Sequence, residues 1–195
     1  MNARPIARKA SRVLIASLIA LALAACALVA SGCSAQEEQG GAKELKAGST
    51  TYFYAESMDP ASEWDSWYLS YYGIMENLFK VSDDLTPEPW LAESAESADG
   101  KTWTVKVKDG ISFSNGEPVD AAAVKAAWER TYEENSRAAE TLAIESISAN
   151  GQELTVVTKE SVTDFENTLC DPLLCVYYTG EGVDYAAETP GTGPY

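Results

Sequence analysis

Hydrophobic residues are laid out along this chain in three patterns, and each predicts its own kind of element. The first is a continuous run: Val13 to Ala30 holds no charged residue and comes after Arg4, Arg8, Lys9 and Arg12. A basic start ahead of an apolar stretch is the pattern of an export leader, whose positive end stays on the cytoplasmic side. The run is close to the roughly 20 residues that span a bilayer, so an uncleaved anchor is the alternative. The small residues and the cysteine that close it favour a cleaved leader.

The second pattern has helical spacing. Trp64, Trp67, Tyr68, Tyr71, Ile74, Met75 and Leu78 predict an amphipathic helix from Trp64 to Phe79 with an aromatic face, read first as core packing and second as ligand contact. Asp120 is a good N-cap for a helix from Ala121 to about Asn135 that carries Val124, Ala127, Trp128 and Tyr132 on its apolar side. Val162 to Leu169 reads as one more helix.

The third pattern is alternation with a period of two residues. Thr50 to Tyr54 reads as a strand that stops before Met58, Asp59 and Pro60. In Lys101 to Lys108, Trp103, Val105 and Val107 face one way while Thr102, Thr104, Lys106 and Lys108 face the other, which is a half-buried strand. Ile144 to Ile147 and Glu153 to Thr158 flank Asn150 and Gly151 as a hairpin. Turns are expected at Ser82-Asp83-Asp84, Asp99-Gly100, Asp109-Gly110 and Asn115-Gly116. Strands and helices therefore alternate irregularly, which predicts a mixed sheet with covering helices.

Charge and cysteines then locate the chain. Four of its 14 Lys and Arg and none of its 30 Asp and Glu precede Cys33, so the chain beyond the leader is strongly acidic. Such a chain repels phosphate backbones and lacks the basic stripe that nucleic-acid binding requires. Cys33, preceded by Ala30, Ser31 and Gly32, ends the leader as the cysteine of a lipoprotein signal does; Leu23-Ala24-Ala25-Cys26 is the alternative lipobox. The polar residues from Ser34 onward make Cys33 the better mature start. The expected organisation is a signal peptide at 1–32, a flexible tether at 33–47 and a folded domain at 48–195. Cys170 and Cys175 stand C-x4-C and read either as a disulfide closing a short loop or as two separately buried thiols around Pro172. With no histidine in the chain, a zinc site is not expected.

Several segments in a fixed order then carry a family resemblance. Pro89-Trp90-Leu91-Ala92-Glu93-Ser94, Asp99-Gly100-Lys101-Thr102-Trp103 and the run Asp109-Gly110-Ile111-Ser112-Phe113-Ser114-Asn115-Gly116-Glu117-Pro118, continued by Asp120-Ala121, resemble the signature region of the family 5 extracytoplasmic solute-binding proteins. Asp59-Pro60 and the terminal Gly191-Thr192-Gly193-Pro194-Tyr195 extend the resemblance from about Thr50 to Tyr195. It implies a periplasmic-binding-protein-like α/β fold of type II in a two-lobed, hinge-closing receptor, of which this chain would hold part of the first lobe. It implies capture of peptides or nickel chelates outside the cytoplasmic membrane, delivery to an ABC permease, no cofactor and no catalysis. Glu117 and Asp120 are read as turn and capping residues.

The resemblance also suggests binding residues. Arg137 falls where nickel-chelate receptors of the family carry an arginine shortly after the signature helix, and it could pair with a carboxylate; a solvated surface arginine is the alternative. A second arginine of those receptors is replaced here by Leu173 after Pro172. Tyr52, Tyr54 and Trp67 are candidates for the aromatic-lined pocket of a peptide receptor. Two other functions compete: a lipid-anchored peptide sensor not coupled to import, and a secreted hydrolase using a carboxylate pair. The chain has no G-x-S-x-G elbow and no phosphate-loop motif.

Overall fold

The computed structural model describes residues 57–194, all within the compact unit Ala47–Tyr195. The expected leader and tether, the lipidation candidates Cys33 and Cys26, the expected strand with Tyr52 and Tyr54, and Tyr195 lie outside the described residues. In chain order the elements are helix α1 (Asp65–Tyr71), strands β1 (Phe79–Val81), β2 (Pro87–Pro89), β3 (Ala92–Ser97) and β4 (Thr102–Val107), and helices α2 (Ala121–Glu134) and α3 (Ser136–Thr141). Strands β5 (Ile144–Asn150) and β6 (Glu153–Thr158), helix α4 (Phe165–Thr168) and a 3₁₀ turn at Pro172–Leu174 complete the order.

The segment with the strictest alternation lies inside the sheet. Its strands run in the order β3-β4-β6-β5 with every neighbour antiparallel, while β1 and β2 form a separate two-stranded ribbon. Trp103 sits opposite Val156 and Val105 opposite Leu154, so the apolar members of β4 and β6 share the buried face. Helix α2 contributes Val124, Ala127, Trp128 and Thr131 to the same core, and Asp120 caps it by accepting the Ala123 N–H at 2.7 Å. Fully burying an apolar side chain of the size of Val124 contributes about 1.5–3 kcal/mol.

Two helices are shorter than their sequence patterns suggest. Helix α1 stops at Tyr71 because Gly73 adopts φ +70 and closes the end: its N–H donates to the Ser70 carbonyl, and that of Ile74 donates to the Leu69 carbonyl. Ile74, Met75 and Leu78 still pack against the core, but from irregular backbone leading into β1. Residues expected to open the helix at Val162 are held instead by the loop before β4, where the Val162 N–H donates to the Gly100 carbonyl at 2.7 Å. That helix is confined to Phe165–Thr168, and Phe165 meets the Trp103 ring at 5.3 Å.

Asp99 illustrates how a turn residue fixes the entry to β4. Its Oδ1 accepts the N–H groups of Thr102 at 2.7 Å and Lys101 at 2.8 Å, which pull its carboxyl down from 3.8 to about 2. A depressed carboxylate favours the folded state above its unfolded pKa and loses that contribution as pH falls through the folded value. The expected result is a stability loss between about pH 4 and pH 2 that Asp99→Asn flattens, read by denaturant titration at each pH.

Cys170 and Cys175 are unbridged in the structure. Cys170 Sγ donates to the Glu166 carbonyl at 3.3 Å, and Cys175 is fully buried just after the 3₁₀ turn. Burial pushes the Cys175 thiol up to about 12. Among the described residues no helix is long and apolar enough to cross a membrane.

Candidate functional site

Three aromatic positions along α1 are not core. Trp64 is 39% exposed, Trp67 41% and Tyr71 83%, which corrects the core-packing reading for these three. Trp64 and Trp67 meet edge to face with ring centroids 5.6 Å apart. Against Trp64 lies Arg137, whose guanidinium carbon sits 3.5 Å from the ring centroid. The structure therefore brings Trp67 and Arg137, both candidates from the sequence, to one face through a third residue, Trp64.

Arg137 is half-buried rather than free in solvent. Its Nη1 is buried and has no hydrogen-bond partner among the described residues. A buried guanidinium N–H without an acceptor costs free energy, and the planar fork of arginine matches a carboxylate with two parallel bonds. Stacking on an indole holds that fork flat and adds a cation–π contact worth about 0.5–2 kcal/mol. The arrangement is suited to receiving one carboxylate beside an aromatic surface.

Two further contacts hold this face in place, and sequence reasoning misses both. Asn135, 4% exposed between α2 and α3, accepts the Arg137 N–H on Oδ1 at 3.0 Å and donates from Nδ2 to the Glu63 carbonyl at 3.0 Å. Arg130 makes a two-pronged ion pair with Asp59, both N–O distances being 2.7 Å, and its guanidinium carbon lies 3.7 Å from the Tyr185 ring centroid. Burial alone would lower the Arg130 pKa, but hydrogen bonds with Asp59 and Tyr177 outweigh it and the pKa is raised. Tyr177 is pushed up by burial against the opposing Thr131 hydrogen bond, and its hydroxyl donates to the Ala127 carbonyl at 3.0 Å. Asn135 carries one signal in the sequence, an Asx residue at the expected end of an alanine-rich helix.

Known proteins are similar to this chain. The model of the bacterial extracellular solute-binding proteins, family 5 Middle, matches residues 86–195. A nickel-binding protein, NikA, of Staphylococcus aureus is 32% identical over 123 residues, which are 63% of this chain and 25% of that protein. The oligopeptide-binding protein OppA of Bacillus subtilis is 39% identical over 62 residues, 31% of this chain and 11% of its own length. The solved structure of a nickel ABC transporter from Bacillus halodurans superposes with a TM-score of 0.67 at 36% identity, covering 71% of this chain and 29% of that one. The chain thus spans between about a tenth and three tenths of the length of these relatives.

Proposed function

The chain belongs to the bacterial extracellular solute-binding proteins of family 5, whose model covers more than half of it, and from that premise we propose that it captures a carboxylate-bearing solute, a peptide or a nickel chelate, outside the cytoplasmic membrane for import. The observation that carries this reading is the buried Nη1 of Arg137, which has no hydrogen-bond partner among the described residues and belongs to a guanidinium stacked on an exposed indole. A solute carboxylate would supply the missing acceptor, while Trp64 and Trp67 would cover the apolar part of the solute. Relatives named for nickel and for oligopeptides support both solute classes.

In this reading residues 48–195 form part of a first lobe, Cys33 carries the lipid that tethers the protein to the membrane, and the partners are ABC permease subunits. The basic and apolar leader ahead of Cys33 supports the export step. Tyr52 and Tyr54 remain candidates for the solute pocket.

Melting of the full chain with nickel(II) plus excess L-histidine and with dipeptide and oligopeptide pools tests the proposal. A solute present at 100 times its dissociation constant stabilises the protein by about 2.7 kcal/mol. The expected result is a raised melting temperature with one class, which Arg137→Met removes. Equal melting with every probe and with none overturns it.

A further inference from the structure

We infer that Asn135 is the positioning residue of the solute face, a single buried amide that sets Trp64 and Arg137 against each other before any solute arrives. The inference rests on the functional reading above for its consequence, though not for its geometry. Trp64 and Arg137 belong to segments 73 positions apart in the chain, and neither side chain fixes the other's backbone. Asn135 reaches both backbones at once. Its Oδ1 caps α3 at the Arg137 N–H, and its Nδ2 holds the carbonyl of Glu63, the residue that precedes Trp64.

Three observations show that this amide is built into its place. It is 4% exposed, so its polar atoms depend on the protein for partners, and both the oxygen and the nitrogen have one. Its own backbone joins two helices: the Asn135 N–H donates to the Thr131 carbonyl at 2.9 Å, and its carbonyl accepts the Ala138 N–H at 3.0 Å. Glu63 adopts φ +39, a left-handed conformation that a residue with a Cβ holds when its surroundings dictate it. The bond from Asn135 to the Glu63 carbonyl is one such constraint, and it aims the next residue, Trp64, at the guanidinium.

The Asp59–Arg130 pair secures the same stretch from its other end. Asp59 Oδ1 also accepts the Ala61 N–H at 3.0 Å, so the turn ahead of Glu63 is tied to α2 through Arg130. Residues 59–63 are thereby held at two points, Arg130 on α2 and Asn135 at its C-terminal cap, and Trp64 emerges from the second. A face preset in this way binds without the cost of ordering its groups on contact.

Fluorine NMR of the full chain labelled with 5-fluorotryptophan, without any solute, tests the geometry. Asn135→Asp keeps the acceptor for Arg137 and removes the donor to Glu63; Asn135→Ser shortens the side chain so that it cannot bridge both. Both variants are expected to move the Trp64 resonance toward its position in Arg137→Met, while the buried Trp128 resonance stays where it is. With a dipeptide pool or nickel–histidine, Asn135→Asp is expected to weaken binding about fivefold, the scale of one lost hydrogen bond. An unmoved Trp64 resonance overturns the inference, and so does loss of the Trp128 resonance position in both variants, which would make Asn135 a residue of general stability. A moved Trp64 with no probe bound by the wild-type chain strikes the solute reading and leaves the positioning role standing.

Discussion

Trp128→Ala is expected to destabilise the folded chain by about 3–5 kcal/mol through the cavity it leaves, with roughly 1 kcal/mol more from a stranded carbonyl. Trp128 is fully buried on α2, and its Nε1 donates to the Leu174 carbonyl at 2.9 Å, so one side chain joins the helix to the 3₁₀ turn. Domains of this size are stable by about 5–15 kcal/mol, so the variant should lie close to unfolding at 25 °C. Trp128→Phe separates the two contributions, since it keeps much of the volume and loses the donor. Denaturant midpoints tracked by far-ultraviolet circular dichroism would read both variants, and a midpoint for the alanine variant near that of wild type would contradict this packing.

Gly193→Ala has a comparable expected effect for a different reason. A Cβ there would lie 2.0 Å from the Gly73 carbonyl oxygen, and one at Gly191 would lie 2.1 Å from that of Ile74. Both neighbours are backbone, which cannot swing aside. The 191–193 stretch is bonded in place as well, with the Gly193 N–H on the Ile74 carbonyl at 3.0 Å and the Ser114 N–H on the Gly191 carbonyl at 2.8 Å. Overpacking costs about 1–3 kcal/mol where side chains can yield. The expected loss here is at the top of that range or above it, about 3 kcal/mol or more, as a fall in melting temperature. Thr192→Ala, between the two glycines, is the control and should change little, because the Thr192 hydroxyl has no hydrogen-bond partner among the described residues. The G-T-G-P segment is thus read as a close crossing of two backbones, with its glycines dictated by space.

The parts of the fold set by local pattern are legible in the sequence. The alternation of β4, the Asp120 cap of α2 and the Asn150-Gly151 hairpin agree with the structure to within a few residues, because burial on one face or a turn at one glycine decides each of them. The aromatic helix reads too long, since the helical spacing runs on past Gly73 while the backbone does not. Helix α3 escapes notice because Ala138 is its one buried residue, which leaves almost no hydrophobic period to detect. For the site, Arg137 and Trp67 can be picked out, but their relation cannot. Helical spacing places Trp64 with the core, and the bond that aims it joins Asn135 to Glu63 across 72 positions. Contacts of that kind depend on the tertiary fold and leave no trace in local spacing.

Proton–nitrogen NMR of the five tryptophan indoles tests the central claim most directly. Trp64 and Trp67 are exposed on the proposed face, whereas Trp103 and Trp128 are buried in the core at 6% and 0% exposure. Titrating the full chain with dipeptides or nickel–histidine should shift the Trp64 and Trp67 signals saturably, leave those of Trp103 and Trp128 in place, and do neither in Arg137→Met. Signals that stay fixed through the titration, or move by the same amount with and without the Arg137 guanidinium, would contradict the account.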